Sequence, residues 1–147
     1  MRKFEIVTTY LNQKPEIPKR ATHASAGYDM ACIETITIAP GQIKLVPTGL
    51  KVKMPSSEAL FVFPRSSLGI KKGLMMSNSV GIIDADYYGN PENEGHIMVP
   101  LYNFTQQSVT IEKGERIAQG VFLTYQKTTD DETGSISRLG GFGSSGQ

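Results

Sequence analysis

The chain has 147 residues, a formal net charge of +1, one cysteine and two histidines. That length suits one compact domain, and the near-balanced charge offers no polycationic face, so no nucleic-acid partner is expected. Cys32, His23 and His96 supply neither an intrachain disulfide nor a His/Cys zinc site, and MRKFEIVTTYLNQKP has no apolar run suited to a signal peptide or membrane span. A soluble, cytoplasmic protein with no membrane partner is the expectation.

In chain order, the first notable stretch is AGYDMA at 26–31. Gly27 shortly before Asp29 permits a tight backbone path into a strand and points the carboxylate away from the core; a structural Asx-turn is the alternative. Residues 33–38 alternate and are rich in β-branched side chains, closing at Pro40-Gly41, and residues 43–47 and 50–54 alternate likewise, ending at Pro55. Ala59 to Phe63 is continuously apolar, the pattern of a strand buried on both faces. After Pro64 a short helix is expected over 66–70. Arg65, Ser66 and Ser67 at its start suit a phosphate, although a capped turn with solvated Lys71 and Lys72 explains the same residues.

Residues 78–90 place Asp84, Asp86, Tyr87 and Tyr88 close behind Gly81. On an extended strand the two carboxylates would share a face; one could hold a water as a base while Tyr87 packs on a sugar. The spacing of an EF-hand calcium loop is missing. Strands are then expected over 96–102, 108–112 and 116–125, the last two joined by the turn Lys113-Gly114. Ile117, Gln119 and Val121 share one face of the last strand, Arg116 and Ala118 the other.

Many short strands with Gly/Pro punctuation and no long amphipathic helix indicate an all-β chain, a β-sandwich or jelly roll. The domain covers residues 1–126; 127–147 read as a connector and a C-terminal arm. That arm ends in GGFGSSG at 140–146, too poor in apolar residues to order alone. Arg138, Phe142, Gly143 and Ser144 nevertheless provide a guanidinium, a stacking ring and anion donors, so the segment reads either as a lid that orders over a nucleotide or as a frayed terminus.

Five motifs in order, AGYDMA at 26–31, PRSSLG at 64–69, GIIDADYYG at 81–89, GERIAQ at 114–119 and GGFGSSG at 140–146, closely resemble those of the trimeric deoxyuridine triphosphatase (dUTPase) family. Two departures stand out: the segment Asn90 to His96, where many members turn directly, and the single residue Leu139 between Arg138 and Gly140. The resemblance implies a jelly-roll homotrimer with active sites at subunit junctions. It further implies hydrolysis of dUTP to dUMP and pyrophosphate with Mg²⁺, which supplies dUMP for thymidylate synthesis and keeps uracil out of DNA.

By the same resemblance Asp84 is the catalytic base. Arg65, Ser66, Ser67, Gly69, Asn78, Gly81, Ile83, Tyr87, Gln119, Arg138, Phe142, Gly143 and Ser144 bind substrate, with Asp29, Asp86 and Arg116 in support. The metal binds mainly the phosphates and water, no residue holding it directly and Asp29 reaching it at most through water. Tyr87 under the deoxyribose excludes a 2′-hydroxyl, the turn at 78–83 reads uracil through backbone groups, and Phe142 stacks on the base. The alternatives are a dCTP deaminase-like enzyme on the same fold and a nucleotide-sensing regulatory binding protein, for which residues 90–96 could carry a partner surface.

Overall fold

A computed structural model describes residues 1–132. The strands, in order, are β1 (Lys3–Ile6), β2 (Lys19–Arg20), β3 (Tyr28–Ala31), β4 (Ile36–Ile38), β5 (Ile43–Pro47) and β6 (Leu50–Lys53), then β7 (Glu58–Pro64), β8 (Leu74–Met76), β9 (Gly81–Asp84), β10 (Met98–Asn103), β11 (Val109–Ile111) and β12 (Arg116–Thr124). They pair as β1-β6, β5-β10-β8, β11-β4 and the five-stranded β2-β3-β12-β7-β9, with every ladder antiparallel. The all-β, jelly-roll-type expectation holds. One apolar cluster joins all four sheets, with Phe4 and Val52, Val46 and Leu101, Ile38 and Ile111, and Met30, Leu60 and Ala118 among its members. No helix among the described residues is long and apolar enough to cross a membrane.

The expected short helix does form: Ser66 and Ser67 are α-helical and run into the π-helical Leu68–Lys72, which closes with the Gly73 N–H on the Leu68 carbonyl, Gly73 standing at φ 69°. Two expectations need correction. Residues 33–35 leave the strand predicted over 33–38, because their polar groups bond elsewhere. The Ile33 N–H donates to the Pro47 carbonyl, and the Thr35 hydroxyl accepts from Lys113 N–H and donates to Glu112. In addition, β7 is not covered on both faces within one chain. Leu60 and Val62 are buried, whereas Phe61 and Phe63 are only partly so.

The five-stranded sheet thus has two unlike faces. Because side chains alternate along a strand, Met30, Leu60, Val62, Ile83 and Ala118 enter the core. Register places Phe61, Val121 and Ile82 in one row on the other face, and Phe63, Gln119 and Asp29 in another.

Residues 90–96 fold tightly onto the body. His96 is buried; its Nε2 accepts from the Gly49 N–H at 2.9 Å, and its ring lies 4.9 Å from that of Tyr10. Burial pushes the imidazole pKa down. Glu94 pairs with Lys51 at 2.9 Å and bonds the Thr8 hydroxyl, and these donors lower its carboxyl to about 2, the Thr8 bond first. Both groups stabilise at neutral pH and cease to do so in acid, in different windows. The unfolded imidazole takes up a proton as pH falls through about 6.5, while the native one resists. The Glu94 contribution is lost only as pH falls from about 4.5 toward about 2. The urea midpoint should therefore fall between pH 7.5 and 5.5, and His96→Gln should flatten that slope. A wild-type midpoint constant over this range would contradict the assignment.

Candidate active site

Two constellations occupy opposite ends of the outward face of the five-stranded sheet. At one end Asp29, on β3, stands opposite Gln119 on β12, and Gln119 stands opposite Phe63 on β7. Arg65 lies two residues beyond Phe63, which returns its side chain to this face. Its Nη1 approaches Asp29 Oδ1 at 2.8 Å, and Arg116 Nη1 is 3.9 Å from Oδ2. Asp29 is thus the shared anchor of two guanidiniums that both retain exposed surface. Gly27 has its own reason here. A Cβ at that position would lie 2.3 Å from Gln119 Oε1, so the missing side chain is where the Gln119 amide rests.

Beside this pair an open cleft of about 390 Å³ is lined by Arg65, Ser67, Lys71, Lys72, Glu115 and Arg116. Lys72 is paired with Glu115 at 3.3 Å. The cleft therefore offers more cationic than anionic groups, as a polyphosphate requires. Lys71 and Lys72 are the residues that sequence reasoning left as solvated charges. The register of the 113–116 turn against the 65–72 segment brings them in, and nothing local in the sequence signals it. Ser66 and Gly69 are exposed on the same short helical segment.

At the other end, β9 is an edge strand of the sheet, hydrogen-bonded to β7 on one side. The β8–β9 turn is tight, with Ser79 at φ 65° and Asn78 exposed. Ile83 points into the core, so it can meet a ligand only through its backbone. Asp84 ends the strand opposite Ala59 and is half-buried. There the chain turns into the short 3-10 segment Ala85–Tyr87. The expectation that Asp84 and Asp86 share a strand face is therefore overturned, because Asp86 is exposed on the turn and only Asp84 belongs to the sheet. Tyr87 is buried in the core cluster, and its hydroxyl donates to the His96 carbonyl at 2.7 Å.

The dUTPase family model matches residues 13–146. The chain is 53% identical over 147 residues to the deoxyuridine 5'-triphosphate nucleotidohydrolase of Lactococcus lactis subsp. lactis (strain IL1403), covering 99% of this chain and 98% of that protein. It is 40% identical over 156 residues to the enzyme of that name from Enterobacter sp. (strain 638), covering 100% and 99%. Among solved structures it resembles the dUTPase from Streptococcus mutans with a TM-score of 0.82 and 48% identity, over 86% of this chain and 98% of that one. The chain belongs to the dUTPase family.

In this dUTPase-family chain the expected phosphate residues Arg65, Ser66, Ser67, Arg116 and Gln119 gather with Asp29, and Asn78, Gly81, Asp84 and Tyr87 gather at β9. Arg138, Phe142, Gly143 and Ser144 lie outside the described residues. The two groups do not meet within the single chain. Asp84 is four residues of β7 from the Phe63 row and three strand spacings from β3; at ~3.3 Å per residue and ~4.8 Å per strand, that puts it ~19 Å from Asp29. The donor set also speaks to magnesium. No group of three or more His, Cys, Asp or Glu side chains that could hold a metal occurs among the described residues, and both Asp29 oxygens face guanidiniums. The described residues thus offer no ready-made cage, and an ion that arrives on phosphate oxygens and keeps its waters needs none.

Proposed function

We propose that this chain is a dUTP diphosphatase, hydrolysing dUTP to dUMP and pyrophosphate in the cytoplasm. What supports the reading best is the pairing, on one sheet face, of a polyphosphate-sized cationic cleft with a carboxylate at the end of an edge strand. Arg65, Arg116, Ser66, Ser67 and Gln119 hold the triphosphate, and Asp29 fixes both guanidiniums. Asp84 orients a water in line with the α-phosphorus and takes its proton as the oxygen–phosphorus bond forms; pyrophosphate leaves with the electron pair of the broken bond. Phosphoryl chemistry of this kind asks mainly for positioning and charge neutralisation. Magnesium, when bound, would be held by phosphate oxygens and water, with Asp29 reaching it through water, and would supply charge neutralisation on the triphosphate.

The open edge of β9 at Gly81 to Asp84 explains the base. The backbone N–H and C=O groups that this edge leaves outside the β7 ladder match the acceptor–donor pattern of uracil, and cytosine reverses that pattern at two positions. Tyr87 lies beneath the deoxyribose. The arm at 127–147 closes over the nucleotide, with Phe142 stacked on the base and Arg138, Gly143 and Ser144 on the phosphates. A base–aromatic stack contributes ~1–3 kcal/mol.

The assembly we propose is a homotrimer with each site at a junction. A ~19 Å gap between Asp84 and Asp29 in one protomer is too wide for one α-phosphate to be served by both. Bringing Asp84 of one copy to Arg65 of another removes it. The outward sheet face also carries an apolar stretch, with Ile82 58% and Leu123 42% exposed beside Phe61 and Val121. Surface of this kind is suited to burial against another copy.

A pyrophosphate-release assay with dUTP, dCTP, dTTP and UTP tests the function. Release from dUTP alone is expected. Conversion of dCTP with loss of ammonia would point to the deaminase reading instead, and no turnover of any would leave only a binding role.

A further inference from the structure

We propose that residues 90–96 are a positioning brace for Tyr87, in which the Asn93 amide and the His96 carbonyl fix the ring and so set selectivity for the deoxy sugar. The inference deepens the reading of Tyr87 as the sugar platform and rests on it.

Most of the Tyr87 side chain is inside the core, with 4% of the residue exposed. Only a narrow edge reaches a ligand, so where that edge lies depends on what holds the ring. Its hydroxyl is held twice. It donates to the His96 carbonyl at 2.7 Å and accepts from Asn93 Nδ2 at 2.9 Å. The Asn93 amide cannot turn, because its Oδ1 accepts the Gly95 N–H at 3.0 Å. Gly95 stands at φ 90°, and a Cβ there would lie 2.6 Å from the Tyr87 carbonyl oxygen, so the loop backbone rests directly on the Tyr87–Tyr88 backbone. The loop also closes on itself through Gly89 N–H to the Glu94 carbonyl and Glu94 N–H to the Asn90 carbonyl, at 2.9 and 2.7 Å.

The brace has a fixed far end. His96 is tied to Gly49 and Tyr10, and Glu94 to Lys51 and Thr8, so the loop is clamped between the N-terminal segment and Tyr87. Asn90, Gly95 and His96 are buried, whereas Pro91 and Glu92 are exposed. A segment with its polar groups turned inward in this way is built to hold something within the fold, and the side chain it holds is Tyr87.

The test compares kcat/KM for dUTP and UTP, with melting temperature, in the full-length protein. Asn93→Asp and Asn93→Ser each keep an oxygen for the Gly95 N–H and remove the amide donor to Tyr87. Loss of one such hydrogen bond should lower the dUTP/UTP ratio about fivefold, through KM more than kcat. Tyr87→Phe removes this bond and the one to the His96 carbonyl, so it should lower the ratio at least as far, and adding Asn93→Asp to it should change little further, because the Asn93 bond is already gone. If Tyr87→Phe or Tyr87→Leu alters the ratio while both Asn93 variants keep the wild-type value at unchanged melting temperature, the brace is refuted and the platform survives. If none of the Tyr87 variants moves it, the platform falls and the brace with it.

Discussion

Asp84→Asn will fold and bind dUTP like the wild type and turn it over ~10²–10⁴-fold more slowly, the usual cost of losing a general base. The prediction is sharp because the position is constrained from both sides. Asp84 is the last residue of β9, opposite Ala59 on β7, and its extended backbone leads into the Ala85–Tyr87 turn. Asparagine has the same shape and is equally at home before such a turn, so ladder and turn persist. What disappears is the ability to accept the proton of the attacking water, since an amide oxygen is a poor base. The loss should appear in kcat, with dUTP affinity nearly unchanged in equilibrium titration. Retention of more than about a tenth of wild-type kcat would remove Asp84 from that role. A large fall in affinity would instead make it a binding residue.

Much of the fold was legible in the sequence, and most of what was not has a common cause. Alternation and Gly/Pro punctuation exposed β5, β6, β11 and β12, and a continuous apolar run exposed β7, because such patterning is a local property of the chain. Arg65 and Asp29 were each singled out, but their 2.8 Å contact is set by register across three strands, and register is not written in either segment alone. The same holds for Gly27, whose reason is the Gln119 amide more than ninety residues away, and for Lys71 and Lys72, which reach the cationic cleft only because the 113–116 turn packs beside their segment. Asp86 misled for a different reason. The strand pattern of 81–84 continues plausibly by composition into 85–87, and the chain turns there with no glycine or proline to announce it. Residues 90–96 looked like an addition on which a surface could be displayed; Pro91 and Glu92 are indeed exposed, but Asn93 and His96 turn their hydrogen bonds inward.

Mixing two inactive variants should restore activity. Asp84→Asn lacks the base, and Arg65→Gln lacks the guanidinium that Asp29 holds at the phosphate cleft, so each homo-oligomer should be nearly silent. Within one protomer these two groups lie at opposite ends of the sheet face, on β9 and beyond β7, so a site that uses both draws them from different copies. In randomly mixed trimers a site is whole when its Asp84 comes from the Arg65→Gln chain and its Arg65 from the Asp84→Asn chain, which happens at about one site in four. Co-expressed or co-refolded protein at equal ratio should therefore reach roughly a quarter of wild-type kcat with a wild-type KM, since every restored site is chemically complete. The recovery should follow the product of the two chain fractions as their ratio is varied, a dependence that partial stabilisation of one mutant by the other would not produce. Activity that stays at the level of the parents at every ratio, in demonstrably mixed trimers, would mean that Asp84 and Arg65 act from the same chain. In that case the sheet face would have to close the ~19 Å between them by a rearrangement for which this register leaves no obvious route.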